Sequence, residues 1–391
     1  MTPPPQRASF GAGLLTGILG GLALAALIAA LTGSIGNNDP TTEARDVIQD
    51  NYFKAVDDKQ LDEAGIAGMV QALRKRYDDR FSHYFPPSQV DEFDAATSGQ
   101  FSGVGLTVTE VKEGLRIASV LPNTPAEEAG LKEGDVITEV DGKSIAGVPS
   151  EVSTGRIKGP PGTKVSIRVD PQGPRKPYDL ELERADVRVP AVQGEIREAD
   201  GQKAGYVTFS TFSRGAHGEL RSTIERLYRQ GAEGLVIDLR GNGGGLLDEA
   251  VLSASIFVKD GETVVSTKSR VEGDHTYAAT GDPLEHKPTV VLINKDTASA
   301  AEILTAALSD HHLATVVGAR SFGKGVFQEV IHLDDGGALD LTTGEYFTPD
   351  GENLGGVGIK PDVPGADNPK TTADEGRAAA LAELGTLLRS N

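Results

Sequence analysis

Four short segments, three of them glycine-containing, hold the side chains that could do chemistry in this chain. Ala298-Ser299-Ala300-Ala301-Glu302 follows the apolar run Val291-Leu292-Ile293-Asn294. A serine at such a strand-to-helix turn is exposed, and the next amide sits at a helix N-terminus, which suits a nucleophile with an oxyanion donor beside it. Ser299 or Thr297 would serve equally well as an ordinary helix cap. Ser321-Phe322-Gly323-Lys324-Gly325-Val326-Phe327-Gln328 sets a lysine between glycines. On a surface turn that lysine stays charged; buried, its pKa would fall from about 10.4 toward neutrality and the amine could take a serine proton. Asp238-Leu239-Arg240-Gly241-Asn242-Gly243-Gly244-Gly245 closes an apolar strand with a glycine run. Ligands of α/β sheets collect at such ends, where glycine amides can approach an oxyanion or simply turn the chain. Phe101-Ser102-Gly103-Val104-Gly105-Leu106 is a glycine-rich entry to a strand. Its N–H groups could cradle a carboxylate while an extended peptide adds to the sheet edge, although the string alone is only a turn.

Composition narrows the chemistry. The 391 residues include no cysteine, which removes disulfides, thiolate nucleophiles and cysteine-held zinc together. With 38 Lys+Arg against 57 Asp+Glu the net charge is −19, so the basic footprint of a nucleic-acid partner is missing. There is no GxxxxGK[ST] phosphate loop, no HExxH helix and no GxSxG elbow, and no metal, nucleotide or other cofactor is expected. Ser321-x-x-Lys324 matches an SxxK pattern, but Gly323 and Gly325 oppose the helix that pattern requires. His311 and His312 lie at the far end of the helix after Ser299, facing its last carbonyls.

The elements that must position these groups follow from periodicity. No charged residue occurs over 8–38, and Phe10 to Leu31 is an Ala/Leu/Gly-rich run of 22 residues. As a helix it would span roughly 33 Å, close to the hydrocarbon thickness of a bilayer. Arg7 before it and acids from Asp39 onward favour an amino terminus left inside and a body carried across. Residues 10–31 are thus expected to be a single-pass inner-membrane anchor in the cell envelope, with the body on the extracytoplasmic side. A signal peptide cleaved near Ala23-Leu24-Ala25 is the alternative, and the body would then be secreted. Gly13, Gly17 and Gly21 could let two anchors pack. Ala44, Val47, Ile48 and Tyr52, then Ile66, Met69, Val70 and Leu73, recur at helical intervals. Their apolar faces need a partner, from this chain or from a second copy in a homo-oligomer.

Short β runs follow at 105–111, 115–120, 135–140, 165–169 and 178–182, with a short helix in 123–131. Beyond Pro190, strands at 204–212, 234–239, 289–294 and 315–318 alternate with helices at 218–229, 246–257 and 298–308, which argues for a largely parallel α/β layer. More strands and turns are expected over 337–363. The fold class expected is α/β in a multidomain (α+β) arrangement. Residues 1–38 are the anchor or signal, 39–100 a helical region, 101–185 an inserted β domain, 186–366 an α/β core and 367–391 a C-terminal helix.

Two resemblances organise these pieces. Phe101 to Leu106, with Asn123 to Leu131, Lys132-Glu133-Gly134-Asp135-Val136-Ile137 and Val140-Asp141-Gly142, resembles a PDZ domain over about residues 102–185. That implies recognition of peptide tails with free, apolar C-termini by Phe101, Gly103, Val104, Gly105 and Leu106. All four segments in this order, with Asp79-Arg80-Phe81-Ser82-His83-Tyr84, Leu341 to Pro349 and Gly358 to Val363, resemble the C-terminal processing peptidases. These are tail-specific serine endopeptidases with a Ser/Lys dyad, and the resemblance implies a ClpP/crotonase-like core. It further implies Ser299 as nucleophile, Lys324, 25 positions later, as general base, and Gln328 orienting the lysine. Ala300 with Gly244 or Gly245 would form the oxyanion hole. The chain departs from the family at Gly243, where proline is frequent, and at Ala301, where a second serine is frequent. It also carries Lys158, in Ile157-Lys158-Gly159-Pro160-Pro161-Gly162, where an arginine couples tail binding to activation; Arg156 is the substitute. An activating adaptor is compatible with this reading. A catalytically silent, membrane-tethered peptide-binding scaffold would use the same groove without needing Ser299, Lys324 and Gln328 together.

Overall fold

A computed structural model describes residues 39–390 except residue 369, in two compact units divided after Arg80. The membrane segment expected at 10–31 lies outside the described residues. No helix among the described residues is long and apolar enough to cross a membrane.

The first unit contains α1 (Pro40–Asn51) and α2 (Asp58–Tyr77). Asp57 caps α2 by accepting the Gln60 N–H at 3.3 Å, and Asp78 ends it in the left-handed conformation (φ 53°). Arg45 donates to Asp62 at 3.1 Å across the pair. The expected apolar faces exist but are barely used: Val47 and Tyr52 are each 54% exposed, Met69 is 57% exposed, and only Val70 is buried. These helices have too little surface between them to cover their own apolar stripes.

The second unit opens with β1 (His83–Phe85), α3 (Pro87–Ser98) and β2 (Gln100–Gly103). An antiparallel β domain follows: β3 (Leu106–Val111), β4 (Gly114–Val120), helix α4 (Pro125–Glu128), β5 (Val136–Val140), β6 (Lys143–Ser144), helix α5 (Ser150–Ile157), β7 (Lys164–Asp170) and β8 (Tyr178–Glu183). In β7 the buried residues Val165, Ile167 and Val169 alternate with polar ones, the period-2 pattern of a sheet covered on one face. They meet Leu115, Ile117, Ile137, Ile145 and Leu182 in a separate core. The strand order β3-β4-β5-β7-β8 leaves β3 at an open edge. β9 (Ala185–Arg188) then returns to pair antiparallel with β2, forming a two-stranded ribbon at the domain's entrance and exit.

The central sheet runs β10-β11-β12-β15-β16-β19, from β10 (Val192–Ala199), β11 (Gln202–Phe209), β12 (Gly234–Asp238), β15 (Thr289–Ile293), β16 (Thr315–Gly318) and β19 (Val363–Pro364). All pairs but β10–β11 are parallel. β12 and β15 are buried throughout because both faces are covered. Alternate residues Leu235, Ile237, Val291 and Ile293 face α6 (Ala216–Arg229), α7 (Leu247–Ala254) and α8 (Ala300–Asp310). Val236, Val290 and Leu292 face Ala380 and Leu384 of α9 (Glu375–Ser390). A second sheet is built from β13 (Thr263–Ser269), β14 (Gly273–Ala278), β17 (Val326–His332) and β18 (Ala338–Phe347), with β1 at one edge. Its strands mix apolar and polar residues without a clean alternation; β18 falls in the stretch where strands were expected, and none was expected at 263–278 or 326–332. The strand expected at 204–212 stops at Phe209, whose carbonyl accepts from Asn242 Nδ2 at 2.8 Å, and the helix expected at 246–257 stops at Ala254.

Arg240 fastens α9 to the end of β12. Its guanidinium donates to Asp238 at 2.7 Å, Asp367 at 2.7 Å and Asp374 at 2.8 Å. Burial raises the Asp374 pKa, but the Arg240 hydrogen bond and the Arg377 N–H outweigh it and leave the group below its ordinary value. A carboxylate depressed by folding adds stability above its unfolded pKa, about 3.9, and loses it as pH falls through the lower folded value. Asp374→Asn is therefore expected to cost about 1–2 kcal/mol at pH 7 and less at pH 3. Denaturant midpoints at the two pH values check this, and an equal loss at both would count against it.

Candidate active site

The proposed nucleophile stands at the junction between β15 and α8. Ser299 has φ 57° and ψ −122°, a backbone conformation that costs a non-glycine residue energy and persists only where its surroundings impose it. Two contacts impose it here. Glu302 Oε2 accepts the Ser299 N–H at 2.9 Å, and Gly244 packs so tightly that a Cβ there would lie 2.8 Å from Ser299 Cβ and 2.9 Å from the Ala300 nitrogen. Thr297, wholly buried, fixes the preceding turn by donating to the Leu239 carbonyl at 2.8 Å.

Glu302 is the centre of the site, and it was not among the residues singled out from sequence. Its carboxylate is 0% exposed. Oε2 takes the backbone N–H of Ser299 at 2.9 Å and that of Lys324 at 2.9 Å. Oε1 takes the Ser321 hydroxyl at 2.5 Å and the Gly323 N–H at 2.8 Å. Four donors from two chain segments thus converge on one acceptor. Ser321 is therefore no nucleophile: its buried Oγ donates to Glu302 and accepts the Ile359 N–H at 2.7 Å. The sequence did carry a signal, an acid three residues after a serine at the head of an apolar helix, which is the capping-box spacing.

Lys324 projects from this wired loop. Its Nζ donates to Gln328 Oε1 at 2.6 Å and not to Ser299 Oγ, and lies 5.1 Å from the centroid of the Phe81 ring. Gln328 Nε2 donates in turn to Thr342 Oγ1 at 3.2 Å, which fixes the amide with its oxygen toward the amine. Ser82, wholly buried beside Phe81, accepts the Thr342 N–H at 2.9 Å. Burial lowers the Lys324 pKa below the ordinary lysine value, against the opposing charges of Asp340 and Glu302. Tyr346 donates its hydroxyl to the Lys324 carbonyl, so the lysine is held through both its backbone and its side chain.

The glycine run is pinned by Asn242, also wholly buried. Its Nδ2 donates to the Phe209 carbonyl at 2.8 Å, its Oδ1 accepts the Gly244 N–H at 2.8 Å, and its carbonyl accepts the Ala298 N–H at 2.9 Å. The Gly244 amide is therefore engaged within the loop. The N–H groups of Gly245 and Ala300 have no hydrogen-bond acceptor among the described residues. The loop is further laddered to Phe212, whose N–H donates to the Gly244 carbonyl at 2.9 Å and whose carbonyl accepts the Leu246 N–H at 2.9 Å.

In the β domain, Phe101 and Gly103 lie in β2, Val104 is buried, and Gly105 has φ 87° where a Cβ would strike Thr124 at 2.3 Å. Leu106 begins the open-edge strand β3. Glu110 of β3 accepts the Ser150 N–H at 2.8 Å, so α5 starts beside that strand. Lys158 caps α5 and donates its N–H to Thr154. The Arg156 carbonyl accepts from Arg184, a buried arginine not anticipated from sequence.

Residues 203–364 match peptidase family S41, and residues 93–170 match the PDZ domain. The carboxy-terminal-processing protease of Bartonella bacilliformis is 36% identical over 322 residues, which cover 81% of this chain and 72% of that protein. Carboxy-terminal processing protease CtpA of Bacillus subtilis is 34% identical over 325 residues, covering 83% and 68%. The chain belongs to peptidase family S41, among the carboxy-terminal-processing proteases. It is a serine-type peptidase that carries a PDZ domain, in a mixed α/β fold. A solved S41 protease from Bacteroides fragilis shares that fold, with a TM-score of 0.53 at 19% identity over 91% of this chain and 98% of its own.

Glu302→Gln keeps the shape of the hub but turns an amino group toward donors that need an acceptor. It is expected to cost about 2–4 kcal/mol of stability and, through misplacement of the serine and the lysine loop, roughly 100-fold in kcat. Thermal unfolding and peptide hydrolysis by the same preparation check both, and wild-type kcat would remove Glu302 from the site.

Proposed function

We propose that this S41 peptidase cleaves proteins near their C-termini with Ser299 as nucleophile and Lys324 as general base. The observation that carries the reading is the shared carboxylate of Glu302, which ties a strained serine and a desolvated lysine to one acceptor. A peptide tail would add to the open edge of β3 beside α5, its carboxylate at the N–H groups of residues 103–106. Ser299 Oγ attacks the scissile carbonyl as the neutral Lys324 amine takes its proton. The N–H groups of Gly245 and Ala300 receive the developing oxyanion. The Lys324 ammonium then protonates the leaving amine, and water releases the acyl group from Ser299. Gln328 holds the amine between turnovers, so the Lys324 Nζ must swing from Gln328 toward Ser299 for the reaction, and tail binding is the event that shifts this population.

The expected division at 101–185 and 186–366 belongs to the same reading and is supported by the β2–β9 ribbon, which gathers both strands connecting the PDZ domain at one place. A ClpP/crotonase-like fold of the core belongs to the same reading. The uncharged run over 8–38 supports an extracytoplasmic body tethered by residues 10–31. The exposed stripes of α1 and α2 are compatible with a homo-oligomer, and an adaptor could add to it.

Ser299→Ala is expected to abolish cleavage of an unfolded protein with an apolar C-terminus while leaving tail binding intact. Lys324→Ala should be as damaging, since the two act as one unit; fragment masses and binding anisotropy decide. Because the base must be neutral, kcat/KM should rise with pH and level off at an apparent pKa below that of an ordinary lysine. A profile that falls as pH rises from 6 to 9 would contradict the assignment of Lys324.

A further inference from the structure

Beside the lysine loop lies a patch of apolar side chains that the proposed proton transfers do not use. Phe322 is 54% exposed and Val357 60% exposed, while Phe81 is half-buried. The Phe81 and Phe322 rings meet edge to face, with centroids 6.4 Å apart and planes inclined at 72°, a preferred geometry for an aromatic pair. Phe81 is also the ring beneath the Lys324 amine, whose Nζ lies 5.1 Å from its centroid. Single apolar residues at a surface need no explanation, but a paired set of aromatics with a valine at the rim of a reaction site does.

The patch is held by the same contacts that hold the lysine loop. Phe322 stands between Ser321 and Gly323, both buried and both bound to Glu302 Oε1, the hydroxyl at 2.5 Å and the amide at 2.8 Å. Its own N–H donates at 2.9 Å to the carbonyl of Thr297, two residues before Ser299. Ser321 thus sends its side chain inward to the carboxylate, and Phe322 sends its own outward. Gly323 is packed against the 354–358 loop: a Cβ on it would lie 2.9 Å from the Leu354 carbonyl and 3.1 Å from the Val357 nitrogen, and its carbonyl accepts the Gly356 N–H at 2.9 Å. Arg320 donates to the Val357 carbonyl at 2.9 Å, so the valine is fixed beside the same loop. Phe81 is tied in through Ser82, which accepts the Thr342 N–H at 2.9 Å. Side chains positioned in advance can receive an apolar group with little further loss of conformational entropy.

The direction of the reaction decides which part of a substrate meets these side chains. The Gly245 and Ala300 amides receive the oxygen of the acyl carbonyl, whereas Lys324 gives its proton to the nitrogen that departs with the residue on the C-terminal side of the scissile bond. Groups that flank Lys324 therefore border that departing residue. We infer that Phe322, with Phe81 and Val357, forms a subsite for the first residue after the scissile bond and selects a large apolar side chain there. The inference rests on the reading of Ser299 as nucleophile and Lys324 as base. An apolar side chain seated on the rings would also displace water from beside the Lys324 amine, which favours the neutral form that the reaction needs.

The test uses the full chain. Fragment masses from an unfolded protein with an apolar C-terminus locate a preferred cut, and internally quenched peptides are built around it. All keep one free apolar C-terminus and differ only in the residue after the scissile bond: leucine, phenylalanine, glycine or aspartate. Wild type is expected to cleave the leucine and phenylalanine peptides with kcat/KM about tenfold above glycine, and aspartate more slowly still. Phe322→Ala should bring the leucine-to-glycine ratio below about threefold, and Val357→Lys should raise aspartate relative to leucine by about fivefold. Each ratio is read within one preparation, so a general loss of activity or stability does not move it. Unchanged ratios in both variants overturn the inference, as does a wild type that cleaves the leucine and aspartate peptides equally well. A matched series varied before the scissile bond that shifts as much in the variants also overturns it, by placing the patch on the acyl side. A wild type that cleaves neither protein nor peptide refutes the proposed function instead.

Discussion

The site depends on one carboxylate placed where no water reaches it. An acceptor buried without partners would cost several kcal/mol, and Glu302 avoids that cost only because four donors meet it. The requirement is mutual. The Ser299 and Lys324 amides, the Gly323 amide and the Ser321 hydroxyl would each be stranded if the carboxylate moved. Since none of these groups can relax alone, the strand-to-helix turn and the lysine loop behave as a single rigid object. The unfavourable φ of Ser299 is maintained by this constraint and by the backbone of Gly244 on the other side.

The same economy explains why the proposed chemistry is split between backbone and side chain. Backbone is fixed by Glu302 and Asn242, both wholly buried, so the amides of Gly245 and Ala300 keep their direction whatever the state of the amine. In the proposed reaction the Lys324 side chain is the part that moves. Its carbonyl is anchored by Tyr346 while its amine rests on Gln328 in a half-buried space beside Phe81. Desolvation lowers its pKa, and the nearby acids limit how far. A general base that is preorganised in its backbone and adjustable in its side chain can be engaged by a small motion at low cost in reorganisation.

Much of this was legible in the sequence wherever a local pattern had a single physical solution. The buried strands β12 and β15 read as unbroken apolar runs, β16 was placed to the residue, and β7 was expected as a short β run at 165–169. The Ser299 turn and the Lys324 loop were recognisable by residue type and order. What could not be read is what depends on partners distant in sequence. Glu302 is one acid among 57 acidic residues until four donors surround it, and Asn242 reads as a turn residue until Phe209, Gly244 and Ala298 are brought to it. Strands were legible over 337–363, where β18 lies, but β13, β14 and β17 mix apolar and polar residues without a clean alternation, so their pairings gave no periodic signal. Arg184 is one more charge at a strand end in the sequence, whereas the family pattern points to Lys158 and Arg156. Three-dimensional wiring instead uses the Arg156 backbone, whose carbonyl accepts from the Arg184 guanidinium at 3.1 Å.

A peptidase that acts on chain ends faces a problem its core alone cannot solve, because a scissile bond looks alike wherever it lies. Recognition of the end must sit far enough from the serine to leave room for the intervening residues, and its result must still reach the serine. In this architecture the rigid part, the Glu302 hub in a doubly covered sheet, is separated from the reading part by a ribbon of only two strands. An isolated two-strand ribbon is the least stable piece of sheet a protein can carry.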